Sequence, residues 1–387
     1  MSALLRWRPS SGEPQTAHGH SVGSSRIQGA PTLKIPLPIL ALVLLLAGCV
    51  FPPDGSEERA CLPEARGVVF VDELAEEDEC PFGEGPCIDD YLAFRDLAAE
   101  WSAPLSDQEF EDVIYEMSVG LIPLADGPLS EEELRAAVLQ GARIDFLVDG
   151  MDTRELRVSE AEAESLFGTD EPSVIRTFQL DDPWVGRLWG IVAHPAGPGP
   201  FPTVIGIHGH TEDATEWMRS RGGFDLVNRG YAVIFPTMRG NDAADDETLV
   251  TEALLRAGLS FAGLRIYEHL LTLRYAAALP VVDRCRIGMM GHSGGAVLGN
   301  ATIRVAAGLS AWVSDLTSGY YVLAPGGGWI DETSPGLHAL QLLINDFTTA
   351  PMPVLEVGYN FEVYGTEPPI DQWPEVAGFL DDELVAP

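Results

Sequence analysis

At 387 residues, 46% of them hydrophobic, the chain can bury one large α/β domain of roughly 200 to 250 residues beside a smaller accessory region, which excludes fibrous and wholly disordered classes. Its formal net charge of −36 repels phosphate backbones and anionic headgroups, so nucleic-acid binding and electrostatic adsorption to membranes are set aside. A surface this acidic suits an exported protein that must stay in solution.

The first 48 residues run against that charge, with Arg6, Arg8, Arg26 and Lys34 facing only Glu13. Lys34 precedes Ile35 to Leu46, an apolar run interrupted by Pro36 and Pro38 that ends in Leu46-Ala47-Gly48-Cys49. This is the layout of an export signal. It is short for a bilayer, which takes about 20 apolar residues. The Leu-Ala-Gly-Cys ending resembles the bacterial lipobox. That resemblance implies acylation of Cys49 as the first mature residue and a lipid anchor in the cell envelope, periplasmic or on the outer surface. An ordinary cleaved signal or an uncleaved anchor are the alternatives. Residues 1–33, long and polar for a leader, are consistent with an over-extended start, and 1–48 are set apart from the fold.

Export implies an oxidising compartment, which makes Cys61, Cys80, Cys87 and Cys285 candidates for disulfides. Cys80 and Cys87 bracket the turn-rich Pro81-Phe82-Gly83-Glu84-Gly85-Pro86 and are the expected bridge; Cys285 is expected to be a buried thiol. No Cys/His grouping has the spacing of a zinc site.

Residues 49–88, rich in Pro, Glu and Asp, read as a tether and an irregular segment. Residues 89–173 read as a helical extension with helices over 89–101, 106–118 and 130–142. The last opens on Ser130-Glu131-Glu132-Glu133, a capping-box start, and Leu134, Val138 and Leu139 form its apolar stripe. The extension is either a small cap or docking module or a flank packed on the main domain.

From 174 to 387 the pattern alternates. Strands are expected over Val174–Leu180 and Leu188–His194, joined by Asp181-Asp182-Pro183, and then over Thr203–Ile207, a continuous apolar run of the kind buried on both faces. His208-Gly209-His210 follows it. A helix from Trp217 to Arg229 is stopped by Gly230, and Tyr231–Phe235 forms the next buried strand, followed by Pro236 and Arg239-Gly240. Leu264–Leu279 is a strong helix, with Ile266, Leu270, Leu273 and Ala277 at helical spacing and Pro280 as its stop. Cys285–Met290 has strand length and runs into Gly291-His292-Ser293-Gly294-Gly295, which fits Gly-x-Ser-x-Gly. Ala296 onward reads as helix. The succession predicts a doubly wound, mostly parallel sheet. Gly326-Gly327-Gly328 lacks the following helix and lysine of a phosphate loop and carries no nucleotide signal.

The ordered set of His208-Gly209, Pro236 with Arg239-Gly240, and Gly291-His292-Ser293-Gly294-Gly295 resembles the α/β-hydrolase superfamily, closest to its acetyl xylan esterase and dienelactone hydrolase-like branch, over about 174 to 363. The resemblance implies an esterase of small carboxylic esters, those on carbohydrate among them, acting through an acyl-Ser293 intermediate. It implies no metal or organic cofactor. The Gly294 N–H and one from the loop of Gly209 and His210 would form the oxyanion hole, with His208 shaping the loop and His292 supporting the nucleophile.

The acid and base depart from the family pattern. Where a Gly-x-x-Asp type of sequence is expected after the strand Pro353–Gly358, the chain reads Gly358-Tyr359-Asn360-Phe361-Glu362, with Glu362 one residue late, and no histidine follows His338. The last strand-loop unit therefore reads as shortened. Either His338 is the base, paired with Asp315 after the strand Leu309–Val313, or the protein is a catalytically degenerate hydrolase fold used as a surface binding or structural lipoprotein.

Overall fold

The computed structural model describes residues 61–72, 74, 106, 108, 129–163, 173–210, 212–238, 251, 254–315, 335–357 and 372–385, all within the compact unit Glu58–Pro387. The expected lipidation site Cys49, the Cys80–Cys87 bridge, the helix over 89–101, Glu362 and nearly all of the helix over 106–118 lie outside them.

In chain order the elements are β1 (Val68–Phe70), α1 (Glu131–Gly141), β2 (Leu156–Glu162), β3 (Ser173–Asp182), β4 (Gly186–Pro195), β5 (Phe201–Ile207), α2 (Ala214–Ser220), α3 (Gly223–Asn228), β6 (Ala232–Thr237), α4 (Phe261–Ala278), β7 (Val282–His292), α5 (Gly294–Val305), β8 (Ala311–Asp315), α6 (Pro335–Ile344), β9 (Val354–Glu356) and α7 (Trp373–Leu380). The strands form one nine-stranded sheet in the order β1-β2-β3-β4-β6-β5-β7-β8-β9. It is antiparallel from β2 through β4 to β6 and parallel from β6 through β5, β7 and β8 to β9. This is the doubly wound α/β-hydrolase architecture, with helices on both faces.

Local chemistry explains much of it. The parallel centre needs strands buried on both faces, and β5 supplies one: every residue from Pro202 to Ile207 is buried. The β3–β4 turn is closed by Asp182, whose Oδ1 accepts the N–H groups of Trp184 and Val185 at 2.9 and 3.1 Å. At the start of α1, Ser130 Oγ accepts from Glu133 N while Glu133 Oε2 accepts from Ser130 N at 2.9 Å, so the capping box forms as expected.

Two apolar layers cover the sheet. One gathers α1, α4, α5 and α6 around residues such as Val138, Phe261, Leu271, Leu298 and Leu337. The other gathers α2, α3 and α7 around Trp217, Leu226, Phe235, Val376 and Leu380. The stripe foreseen on α4 is real, but the rest of that helix is buried too, including Arg265, Glu268, His269 and Arg274.

The structure departs from expectation in three places. β1 and β2 extend the sheet into segments read as tether and helical extension. The single helix expected from Trp217 to Arg229 is two, α2 and α3, broken at Gly222, whose φ of 78° a side-chain-bearing residue rarely adopts. Cys285 is not a free thiol: it forms a disulfide with Cys61 across a sequence separation of 224. That bridge ties the segment before β1 to the start of β7, where Leu62 N also donates to Arg284 O at 2.8 Å.

Candidate active site

The last residue of β7 is His292, the first of α5 is Gly294, and Ser293 alone makes the turn between them. Its φ of 49° and ψ of −122° lie outside the regions comfortable for an L-residue, a strain of about 1–3 kcal/mol that must be held by the surroundings. Two close approaches hold it. A Cβ on Gly295 would stand 2.3 Å from Ile207 O, and one on Gly291 2.7 Å from Gly295 O, so strand, turn and helix meet backbone to backbone. Ser293 makes no capping bond to the helix that follows it, and the positive end of α5 lies at its side.

The loop after β5 closes on the same point. A Cβ on Gly209 would be 2.8 Å from Ser293 Cβ, which places this backbone directly against the nucleophile position. His208 fixes the loop. Its Nε2 accepts from Met238 N at 2.7 Å, so the proton is on Nδ1, which donates to Gly209 O at 2.7 Å. Burial, partly offset by that carbonyl bond, pulls its pKa down to about 4, and the ring is neutral. Both ring nitrogens thus serve the loop, in keeping with the loop-shaping role expected of this residue.

Gly209 N donates to Glu212 Oε2 at 2.9 Å, so this amide is taken up within the loop. Glu212 was not foreseen as a site residue. It is 6% exposed, and it also accepts from Trp217 Nε1 at 3.1 Å and from Arg221 through Nε at 2.9 Å and through Nη2. Burial opposes its charge, but His292, the Arg221 guanidinium and the Gly209 amide outweigh burial and hold the carboxyl below its ordinary range.

His292 lies between two carboxylates. Its Nδ1 is bound to Asp315 Oδ2 at 2.6 Å and its Nε2 is 3.7 Å from Glu212 Oε1. The pair of His292 and Asp315 follows from register, because the two residues are partners at the carboxyl ends of β7 and β8. Asp315 is therefore engaged by His292. His338, its expected partner, falls within α6, and its side chain is outside the described residues.

Beside this cluster a pocket of about 280 Å³ opens between the sheet edge, α2 and α7; Trp217, Met290, His292, Asp315, Trp373 and Val376 are among its walls. Among the described residues no group of three or more His, Cys, Asp and Glu is placed to hold a metal ion.

The fold is that of the α/β-hydrolases, with a strained serine at the carboxyl edge of the sheet. No family model matches the sequence, and no curated protein does. Among solved structures, a Bacteroides fragilis protein named for acetyl xylan esterase activity is similar at 13% identity and a TM-score of 0.49, covering 72% of this chain and 77% of that one. Acetyl xylan esterase 1 of Thermoanaerobacterium is similar at 13% identity and a TM-score of 0.44, covering 73% and 100%. The methylesterase BT1017 is 19% identical with a TM-score of 0.42, covering 66% and 56%. Likeness at this level carries no information on chemistry.

Proposed function

We propose that the protein hydrolyses small-molecule carboxylic esters with Ser293 as nucleophile. The observation that carries this reading is the strained Ser293 backbone at the strand-to-helix junction, with the Gly209 backbone packed against its Cβ. Nothing in packing alone requires a serine at φ 49°, whereas an acyl-transfer site requires a hydroxyl raised above the sheet beside amide donors.

In the proposed reaction, Ser293 Oγ attacks the acyl carbon while the base takes the hydroxyl proton. The N–H groups of Gly294 and His210 stabilise the oxyanion. The C–O bond to the alcohol then breaks, the alcohol leaves with that proton, and water hydrolyses the acyl-serine to release the carboxylic acid. His338, within α6, is the proposed base. Asp315, bound to His292, and Glu362 are the candidate acids. His292 acts as a positioning residue that links Asp315 to Glu212 and through it to the oxyanion loop.

A fluorophosphonate probe should label the folded protein stoichiometrically and fail on Ser293→Ala. Absence of labelling on the folded native chain would leave the degenerate, binding-protein reading in its place. His338→Ala should lower ester turnover by roughly 10²- to 10⁴-fold; unchanged turnover would remove His338 from the base role. Export with a lipid anchor at Cys49 belongs to the same proposal, supported by the Cys61–Cys285 disulfide, since such bonds persist in oxidising compartments. Metabolic labelling with a fatty-acid analogue, lost in Cys49→Ser, tests it.

A further inference from the structure

The pocket between the sheet edge, α2 and α7 presents hydrocarbon to whatever enters it. Among its walls Trp217 and Val313 are sealed, each 1% exposed, whereas Met290, Val357 and Val376 keep 9%, 4% and 6%, and Trp373 is only partly buried. The polar groups around it are engaged elsewhere. Asp315 Oδ2 is taken by His292, Arg221 Nε and Nη2 donate to Glu212, Trp373 Nε1 donates to Asp225 Oδ2 at 2.8 Å, and Ser220 Oγ donates to Glu216 O at 2.7 Å. Asp315 Oδ1 and Gln372 Oε1 are enclosed and offer a ligand nothing.

Such a surface selects by what it refuses. A sugar would bury several hydroxyls without partners, which is costly, and water itself finds few partners in an apolar space. An alkyl chain needs none and gains from leaving water. At about 280 Å³ the pocket lies near the lower bound of roughly 300 Å³ for small-molecule sites, so an acetyl group would leave most of it unfilled. The wall is also built to keep its shape, because the Trp373 ring occupies the space a Cβ on Gly222 would need, at 2.1 Å.

The pocket adjoins the nucleophile. Gly291 and His292, the two residues before Ser293, line it, and a Cβ on Gly209 would stand 2.8 Å from Ser293 Cβ and 3.3 Å from His292 Cδ2. The imidazole in the wall and the serine therefore flank one point of the loop after β5. We propose that this pocket takes an aliphatic chain of medium length. Resting on the esterase reading, the substrates are then esters that carry such a chain on the acyl or the alcohol half, rather than acetylated sugars.

The first test is equilibrium binding to the full chain, read by tryptophan emission, since Trp373 is in the wall. The probes are 1-octanol, 1,8-octanediol, which must bury a second hydroxyl, and methyl xyloside. Octanol should bind saturably and about ten-fold or more tightly than the diol, and the xyloside should not bind. Val376→Trp should abolish octanol binding. Circular dichroism establishes that the variant is folded, and if it is not, Val357→Phe serves for the same loss.

The second test is turnover, with two ester series that separate the halves. 4-Nitrophenyl acetate and octanoate vary the acyl chain, and ethyl and octyl acetate vary the alcohol. Each methylene moved from water into the pocket is worth about four-fold, so kcat/KM should rise by about ten-fold or more along one series, which identifies the half that the pocket holds. Equal affinity for octanol and the diol, tighter binding of the xyloside, absence of octanol binding to the folded protein, octanol binding retained by a folded pocket-filling variant, or no rise along either series would each overturn the proposal. Failure of the esterase reading would show as missing fluorophosphonate labelling with octanol binding intact, and failure of the pocket proposal as labelling intact without octanol binding.

Discussion

On the α4 side of the elbow, His208 and His269 are enclosed and neutral. Burial lowers their pKa to about 4 and about 3, and the space beside them measures only about 10 Å³. On the α2 and α7 side, His292 stands between Asp315 and Glu212 and borders a pocket of about 280 Å³. The same side chain thus does two jobs a few residues from one serine. Where burial is complete and ring nitrogens meet backbone groups, as at His208, or a single hydroxyl, as at His269 Nδ1, the imidazole acts as a fixed neutral bracket. Where carboxylates face it from the end of β8 and from the loop after β5, it links charged groups beside the pocket.

Acid should expose the first side most strongly. A buried histidine whose pKa is depressed stays neutral while the unfolded chain takes up protons, so stability falls as pH drops below the unfolded value near 6.5 and continues to fall toward the folded value. For His208 the window closes at about pH 4 and for His269 at about pH 3. At about 1.4 kcal/mol per pKa unit, the pair should cost on the order of 7 kcal/mol by pH 4. Denaturant midpoints measured from pH 7 down to 4 should show the slope. His269→Gln, whose amide can keep the donation to Thr302 Oγ1 now made by Nδ1 at 2.7 Å, should flatten it; an unchanged slope would assign the acid sensitivity elsewhere.

Cutting the charged side should cost nearly as much. Glu212→Ala leaves the Arg221 guanidinium, 15% exposed at its side chain, without its carboxylate and releases the Gly209 amide. Breaking such a buried pair costs about 3–5 kcal/mol. The distinguishing readout is activity in the fraction that remains folded. If Glu212 holds the oxyanion loop, kcat should fall with KM little changed, and Glu212→Gln, which keeps an acceptor for Gly209, should recover part of it. A stability loss with normal kcat would make Glu212 a purely structural anchor.

The two sides also differ in how much of them the sequence discloses. The elbow was legible because its demands are local: Gly291 and Gly295 are needed within one turn of Ser293, and the β5 run is apolar at every step. The capping box at Ser130 was legible for the same reason. Glu212 was not, since an acid three residues after Gly209 reads as a solvated loop residue until Trp217 and Arg221 fold over it. The Cys61–Cys285 bridge joins residues 224 positions apart, and nothing in the spacing singles it out against the short Cys80–Cys87 loop. β2 was hidden because its buried Leu156 and Val158 alternate with Arg157 and Ser159 over a stretch too short and polar to stand out from the helical pattern before it. The role of Asp315 was half visible: its place at the end of β8 was readable, but its partner depends on the register between β7 and β8.

The smallest of these effects concerns the wall of the pocket. Trp373 Nε1 donates to Asp225 Oδ2, which Arg229 Nε also approaches at 2.6 Å, so Trp373→Phe removes one of two bonds to a half-exposed carboxylate and should cost about 1 kcal/mol. Stability will barely register it. Fluorophosphonate labelling of Ser293 should stay at its native extent, because the bond lost lies on α7 and not at the elbow. If the variant instead loses labelling while remaining folded, the wall of α7 is tied to the nucleophile, and the division between the two sides of the elbow would have to be redrawn.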